Sequence, residues 1–180
     1  VIVGTWFAGR HAFVDFDRGF LNQGQILVIG DSSGSAEGLT SLTLASGALV
    51  NATGASLRVY NNGLHTFNGG LENYGTLLID RPFTVNTGVY ESINSGTIEV
   101  RNLGDPNRGT LTLNMQGAKG VVTDGTCVNT GVIRTATDRA FIVDRGTFLH
   151  SGGLMEGTGS FEIGPTARFF GVAPIGMDLV

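Results

Sequence analysis

A single cysteine, Cys127, stands in 180 residues, which excludes an internal disulfide and a multi-cysteine zinc site. Lysine is as scarce, with Lys119 alone beside ten arginines. Charged residues make up 14%, against a usual share of about 25%. Hydrophobics nevertheless hold at 41%, so the chain is not an apolar-poor disordered segment. Four prolines and no strict glycine triplet exclude collagen. No apolar run exceeds four residues, the length of Ile26–Ile29, far short of the roughly 18 a membrane helix needs. A net charge of −4 and a pI near 5.2 argue against binding a phosphate backbone. No nucleic-acid partner and no membrane span in this segment are expected. The chain opens at Val1 without an initiator methionine or a basic-then-apolar leader, and reads as a mature product or an excerpt.

What the chain has is glycine, at 29 positions, together with a recurring asparagine. Glycine at that density destabilises helices by about 1 kcal/mol per occurrence, so a helical bundle is excluded. One phrase recurs: Asn or Asp, any residue, Gly, usually Thr, then apolar–any–apolar. It begins at Asn22, Asn73, Asn94, Asn107, Asn129 and Asp144, and with one inserted residue at Asn51. Residues 51 to 73 are 22 apart, 73 to 94 are 21, and 107 to 129 are 22. Shorter intervals of 13 (94 to 107) and 15 (129 to 144) suggest more than one strand in each turn of the structure.

Asn and Gly tolerate left-handed backbone angles and are expected to take the corners. The alternating residues after them read as short strands with one face inward. Corners stacked on corners explain the spacing and composition together. The fold class predicted is all-β, a parallel β-helix or β-solenoid with rungs of about 21 residues. Asn22, Asn51, Asn73, Asn94, Asn107 and Asn129 are its predicted structural corners, stacked and hydrogen-bonded along the axis. The rival is an antiparallel sandwich or jelly roll, which does not demand copies of the phrase at so regular an interval.

The phrases Leu71-Glu-Asn-Tyr-Gly-Thr-Leu-Leu-Ile79 and Ile93-Asn-Ser-Gly-Thr-Ile-Glu-Val100 resemble the repeats of bacterial autotransporter passenger domains and filamentous-haemagglutinin-like adhesins. The resemblance covers roughly residues 21–163. It implies a right-handed β-helix, secretion and a role at the cell surface. The sequence departs from that pattern in showing no outer-membrane barrel and no leader, and an excerpt would leave both outside it.

Residues 1–20 form an aromatic-rich N-terminal end, 21–167 the solenoid, and 168–180 an apolar C-terminal tail. Trp6, Phe7, Phe13, Phe16 and Phe20 crowd one end and Phe169 and Phe170 lie near the other. They read either as plugs over the open core or as a surface on which copies of the chain stack end to end.

Residues with chemical potential are scattered. Asp15 and Asp17 at strand spacing would lie about 7 Å apart, within the range for glycoside cleavage. The pairs Asp138/Asp144 and Glu156/Glu162 are candidates of the same kind, while Asp138-Arg139 and Asp144-Arg145 read as outward ion pairs. His11, His65 and His150 show no metal-ligand spacing. Ser32, Ser33 and Ser35 sit in a glycine-rich segment with neither a strand-to-helix elbow nor a phosphate-binding lysine. Cys127 is expected in the core, and Asn51-Ala-Thr53 is one glycosylation sequon. The expectation is a secreted or cell-surface rod, structural or adhesive, not an enzyme and with no cofactor or metal. Its partner would be a second copy or a host or cell-surface ligand. The alternative is a polysaccharide-degrading β-helix enzyme.

Overall fold

The computed structural model of the chain describes residues 2–4, 11–30, 39–102, 110–115, 124–172 and 175–180. Among these there are seventeen strands and no helix, and every pairing between strands is parallel. Parallel neighbours exclude the sandwich. Each strand pairs with one a full layer further along the chain, so three stacked faces result.

The first face begins with Ala12–Phe16, which pairs with the opening half of Leu39–Asn51. It continues through Leu64–Asn73, Phe83–Asn86, Thr110–Asn114 and the start of Ala140–His150. The second carries Phe20–Asn22, the ends of Leu39–Asn51 and Leu64–Asn73, then Ser92–Asn94, Thr126–Asn129 and the end of Ala140–His150. The third stacks Gln25–Ile29, Ser56–Tyr60, Thr76–Ile79, Thr97–Val100, Val132–Thr135 and the start of Leu154–Gly171. Leu64–Asn73 and Ala140–His150 bend from the first face into the second. Pairing therefore closes into a ring of six strands: these two with Ser92–Asn94, Thr126–Asn129, Thr110–Asn114 and Phe83–Asn86.

Alternation turns one residue in two toward the enclosed core. On the third face Ile26, Leu57, Leu77, Ile98, Ile133 and Met155 stand in one paired column, and all are buried. Toward the C-terminal end the core is aromatic. Phe141 and Phe161 stack with centroids 5.6 Å apart, and Phe169 meets Phe161 at 5.2 Å.

The corners depart from expectation in conformation. The only non-glycine residues with positive φ among those described are Asn61 and Asp138 (65° and 59°), so the stacked asparagines are not left-handed. The glycine two residues later is required by close approach instead. A Cβ on Gly75, Gly96 or Gly131 would strike the carbonyl oxygen of Ala55, Gly75 or Gly96, one layer back, while one on Gly24 meets open space. Gly96→Ala is expected to destabilise by about 2 to 3 kcal/mol through forced backbone displacement. Gly24→Ala should stay within about 0.5 kcal/mol of the parent. Thermal unfolding of the two variants checks this, and equal melting would refute it.

Asn107 lies outside the described residues, but the strand after it, Thr110–Asn114, belongs to the first face rather than the third. Likewise Thr147–His150, after Asp144, pairs on the second face. The phrase thus marks successive corners of one layer, which explains the two shorter intervals that begin at Asn94 and Asn129. The boundary at 167/168 falls within strand Leu154–Gly171, and Ile175–Leu179 pairs in parallel with that strand.

Candidate functional site

The most organised polar feature is a buried asparagine ladder at the corner between the second and third faces. Asn22 Nδ2 donates to Asn51 Oδ1 (2.8 Å), Asn51 to Asn73 (2.7 Å), Asn73 to Asn94 (2.7 Å) and Asn94 to Asn129 (2.7 Å). The same amides also donate to the backbone oxygens of Ser56, Thr76, Thr97 and Val132 in the next layer. Each amide thereby satisfies a neighbouring amide and a carbonyl at the bend. Every ladder asparagine is at most 7% exposed.

The last acceptor is His150 Nδ1, 2.9 Å from Asn129 Nδ2. The intervals along the ladder are 29, 22, 21, 35 and 21 residues. The 29-residue interval holds residues 31–38 and the 35-residue one holds 103–109 and 116–123, all outside the described residues. His150 carries no asparagine to mark it in the sequence, although it lies 21 residues after Asn129.

A second polar cluster lies at the far end of the third-face strands. Asp80, 3% exposed, accepts from Arg58 Nε (2.9 Å) and from Arg101 Nε (2.7 Å) and Nη2 (2.9 Å), joining three successive layers. Further along the same face, Arg134 binds Glu156 at 2.6 Å and approaches Glu99 at 3.7 Å, in a groove of about 580 Å³.

The scattered candidates do not converge. Asp15 sits on the strand Ala12–Phe16, while Asp17 lies past its end in a bend, so the two share no strand face. Glu156 is on the third face and Glu162 on the first, accepting from Ser160 Oγ. The outward ion pairs are corrected. Arg139 is buried and donates to Arg101 O and Asn102 Oδ1, and Arg145 pairs with Asp124. His11 Nδ1 accepts from Leu39 N. Asn51 is committed to the ladder, so its sequon is inaccessible in the folded chain. Ser32, Ser33, Ser35 and Lys119 lie outside the described residues, as do Trp6 and Phe7.

Of the remaining end aromatics, Phe16 and Phe20 pair at 4.6 Å against the core, and Phe169 packs on Phe148 and Phe161. Phe13 and Phe170 are 61% and 55% exposed.

Two buried groups have displaced protonation. Burial pushes the Cys127 thiol up to about 12, which makes it unreactive at neutral pH. Cys127 and Ser92 face each other as register partners, beside a core cavity of about 20 Å³. Burial lowers His65 to about 4, opposed by its hydrogen bond to Asn61 O and assisted by Arg81. On the surface, partial desolvation and then Glu72 raise the Tyr74 phenol. No group of three or more His, Cys, Asp or Glu able to hold a metal occurs among the described residues.

The chain matches no family model, no curated protein and no solved structure. The likeness to adhesin repeats rests on its residues alone.

Proposed function

We propose that the chain is a stretch of right-handed parallel β-helix with coils of about 21 residues, serving as a structural or adhesive rod outside the cell. The observation that carries this reading is the asparagine ladder from Asn22 to Asn129, ending on His150. A continuous axial chain of buried amide bonds makes neighbouring layers interdependent, so a pull or a protease must break several bonds at once. Catalysis is not part of this reading. The exposed acids are divided among faces, and Glu99 and Glu156 both lie against Arg134.

The rod is proposed to extend by addition of copies at its ends. Backbone edges of terminal strands template further strands, and such head-to-tail contact does not close on itself. Phe16 and Phe20 pack partly buried at one end and Phe169 and Ile175 at the other, giving both ends apolar area to cover. A net charge of −4 offers little repulsion. Electron microscopy and light scattering of the intact chain should show filaments of uniform width. Versions lacking residues 1–20 or 168–180 should not elongate. A strictly monomeric intact chain at high concentration would leave the aromatics as plugs and refute end-to-end growth.

A further inference from the structure

The first face carries a regular polar mesh of eight side chains, seven of them partly exposed and the eighth, Ser41, buried at 8% exposure where it accepts from Asn68. Ser41, Thr66, Thr84 and Thr112 stand in one paired column, and Thr43, Asn68, Asn86 and Asn114 in the next. The two columns are set by three copies of Thr-x-Asn and one Ser-x-Thr, with Leu42, Phe67, Val85 and Leu113 turned into the core between them. Strand geometry spaces the positions by about 4.8 Å along the stack and about 6.7 Å along each strand.

Three properties of this mesh point to one partner. It is neutral: none of the eight side chains ionises, in a protein whose third face carries Arg58, Glu99, Arg134 and Glu156. It is stiff: threonine is restricted at χ1, Asn68 Nδ2 donates to Ser41 Oγ (3.1 Å) and Thr43 Oγ1 (3.2 Å), and Asn86 Nδ2 donates to Asn68 Oδ1 (2.9 Å). It is periodic in two directions, with spacings comparable to the repeats of water oxygens on the faces of hexagonal ice. Threonine supplies a methyl group that sits between waters and a hydroxyl that bonds to them. Charged groups would impose hydration shells of their own that no lattice accommodates. The mesh ends where Phe13 and Asp15 pair at one side and Ile142 and Arg145 at the other.

We propose that this face orders a layer of water in an ice-like arrangement and binds the protein to ice. The binding follows from the register of the layers and is independent of end-to-end growth. A neutral sugar chain is the competing occupant: the eight positions themselves hold no aromatic ring or carboxylate, but the exposed Phe13 and Asp15 pair beside Ser41 and Thr43, so the test includes a sugar arm.

The test uses the full chain in ice-recrystallisation and thermal-hysteresis assays, beside Thr84→Lys at the centre of the mesh and Thr76→Lys on the third face. Intact protein and Thr76→Lys should both restrain ice growth. Thr84→Lys should lose about tenfold or more in potency, since one protruding charge breaks the fit. Melting curves check that both variants fold, and Thr112→Lys, read in the same way, replaces Thr84→Lys should that variant unfold. No effect of the intact chain on ice, or equal potency of the two variants, overturns the proposal. Retention on neutral polysaccharide beads that Thr84→Lys abolishes, without any effect on ice, overturns it in favour of the sugar.

Discussion

Asn73→Ala is expected to destabilise the chain by about 3 to 5 kcal/mol, a large fraction of the stability of a domain this size. Asn73 is 1% exposed and occupies the middle of the ladder. It donates to Asn94 Oδ1 and Thr97 O and accepts from Asn51 Nδ2. Alanine removes all three bonds and leaves groups on both adjacent layers without a partner or access to water. A buried polar group so stranded costs about 1 to 3 kcal/mol, more than the bond itself contributes. Asn22→Ala should cost about half as much. Asn22 is the first asparagine of the ladder, and at 7% exposure water can reach part of what it leaves. Urea unfolding of both variants beside the parent measures the difference. If Asn73→Ala unfolds with the parent, the ladder is decoration on a core that holds by itself.

The ladder was legible because it leaves a mark at every layer. An asparagine that returns after 22 and then 21 residues through the middle of the chain, ahead of a glycine and alternating apolar residues, has few other physical explanations. Left-handed backbone angles, the local reason for such a phrase, account for only part of it. Glycine at 75, 96 and 131 answers to the carbonyl of the layer behind it, a contact between residues far apart in the chain that local backbone preference does not contain. The Asp80 cluster was invisible for a similar reason. Arg58 and Arg101 lie 22 and 21 residues from Asp80, and nothing in the immediate sequence connects them. Arg139 beside Asp138 misled in the opposite direction: the side chain is buried and donates to Arg101 O and Asn102 Oδ1, 38 and 37 residues away in the chain. The mesh on the first face went unseen until register placed Thr66, Thr84 and Thr112 in line, because their unequal intervals break the regular count.

Acidification is expected to weaken the fold through His65, by about 3 kcal/mol between neutral pH and pH 4. His65 sits in an inward column between Thr40 and Phe83, 2% exposed. Its Nε2 lies 3.3 Å from Asn61 O, to which the neutral ring donates, and among the described residues no hydrogen-bond partner reaches Nδ1. A proton arriving at Nδ1 would be a buried charge with nothing to accept from it, and Arg81 adds repulsion. Burial accordingly lowers the group from 6.5 to about 4. The sign follows from which state binds the proton. Between those two values the unfolded chain is protonated at this residue and the folded chain is not, so lowering the pH favours unfolding. The contribution is intact above about pH 6.5, falls away as pH drops, and is gone near pH 4. Carboxylates begin to titrate toward the lower limit, so the decisive comparison is with His65→Leu, which removes the imidazole and leaves every acid in place. Denaturant midpoints of parent and variant, measured at half-unit steps from pH 7 to pH 4.5, should diverge in slope, the parent losing stability and the variant holding nearly level. Parallel curves would mean that the fold accommodates an imidazolium in this column, and that its burial is less complete than the packing of Thr40 and Phe83 around it requires.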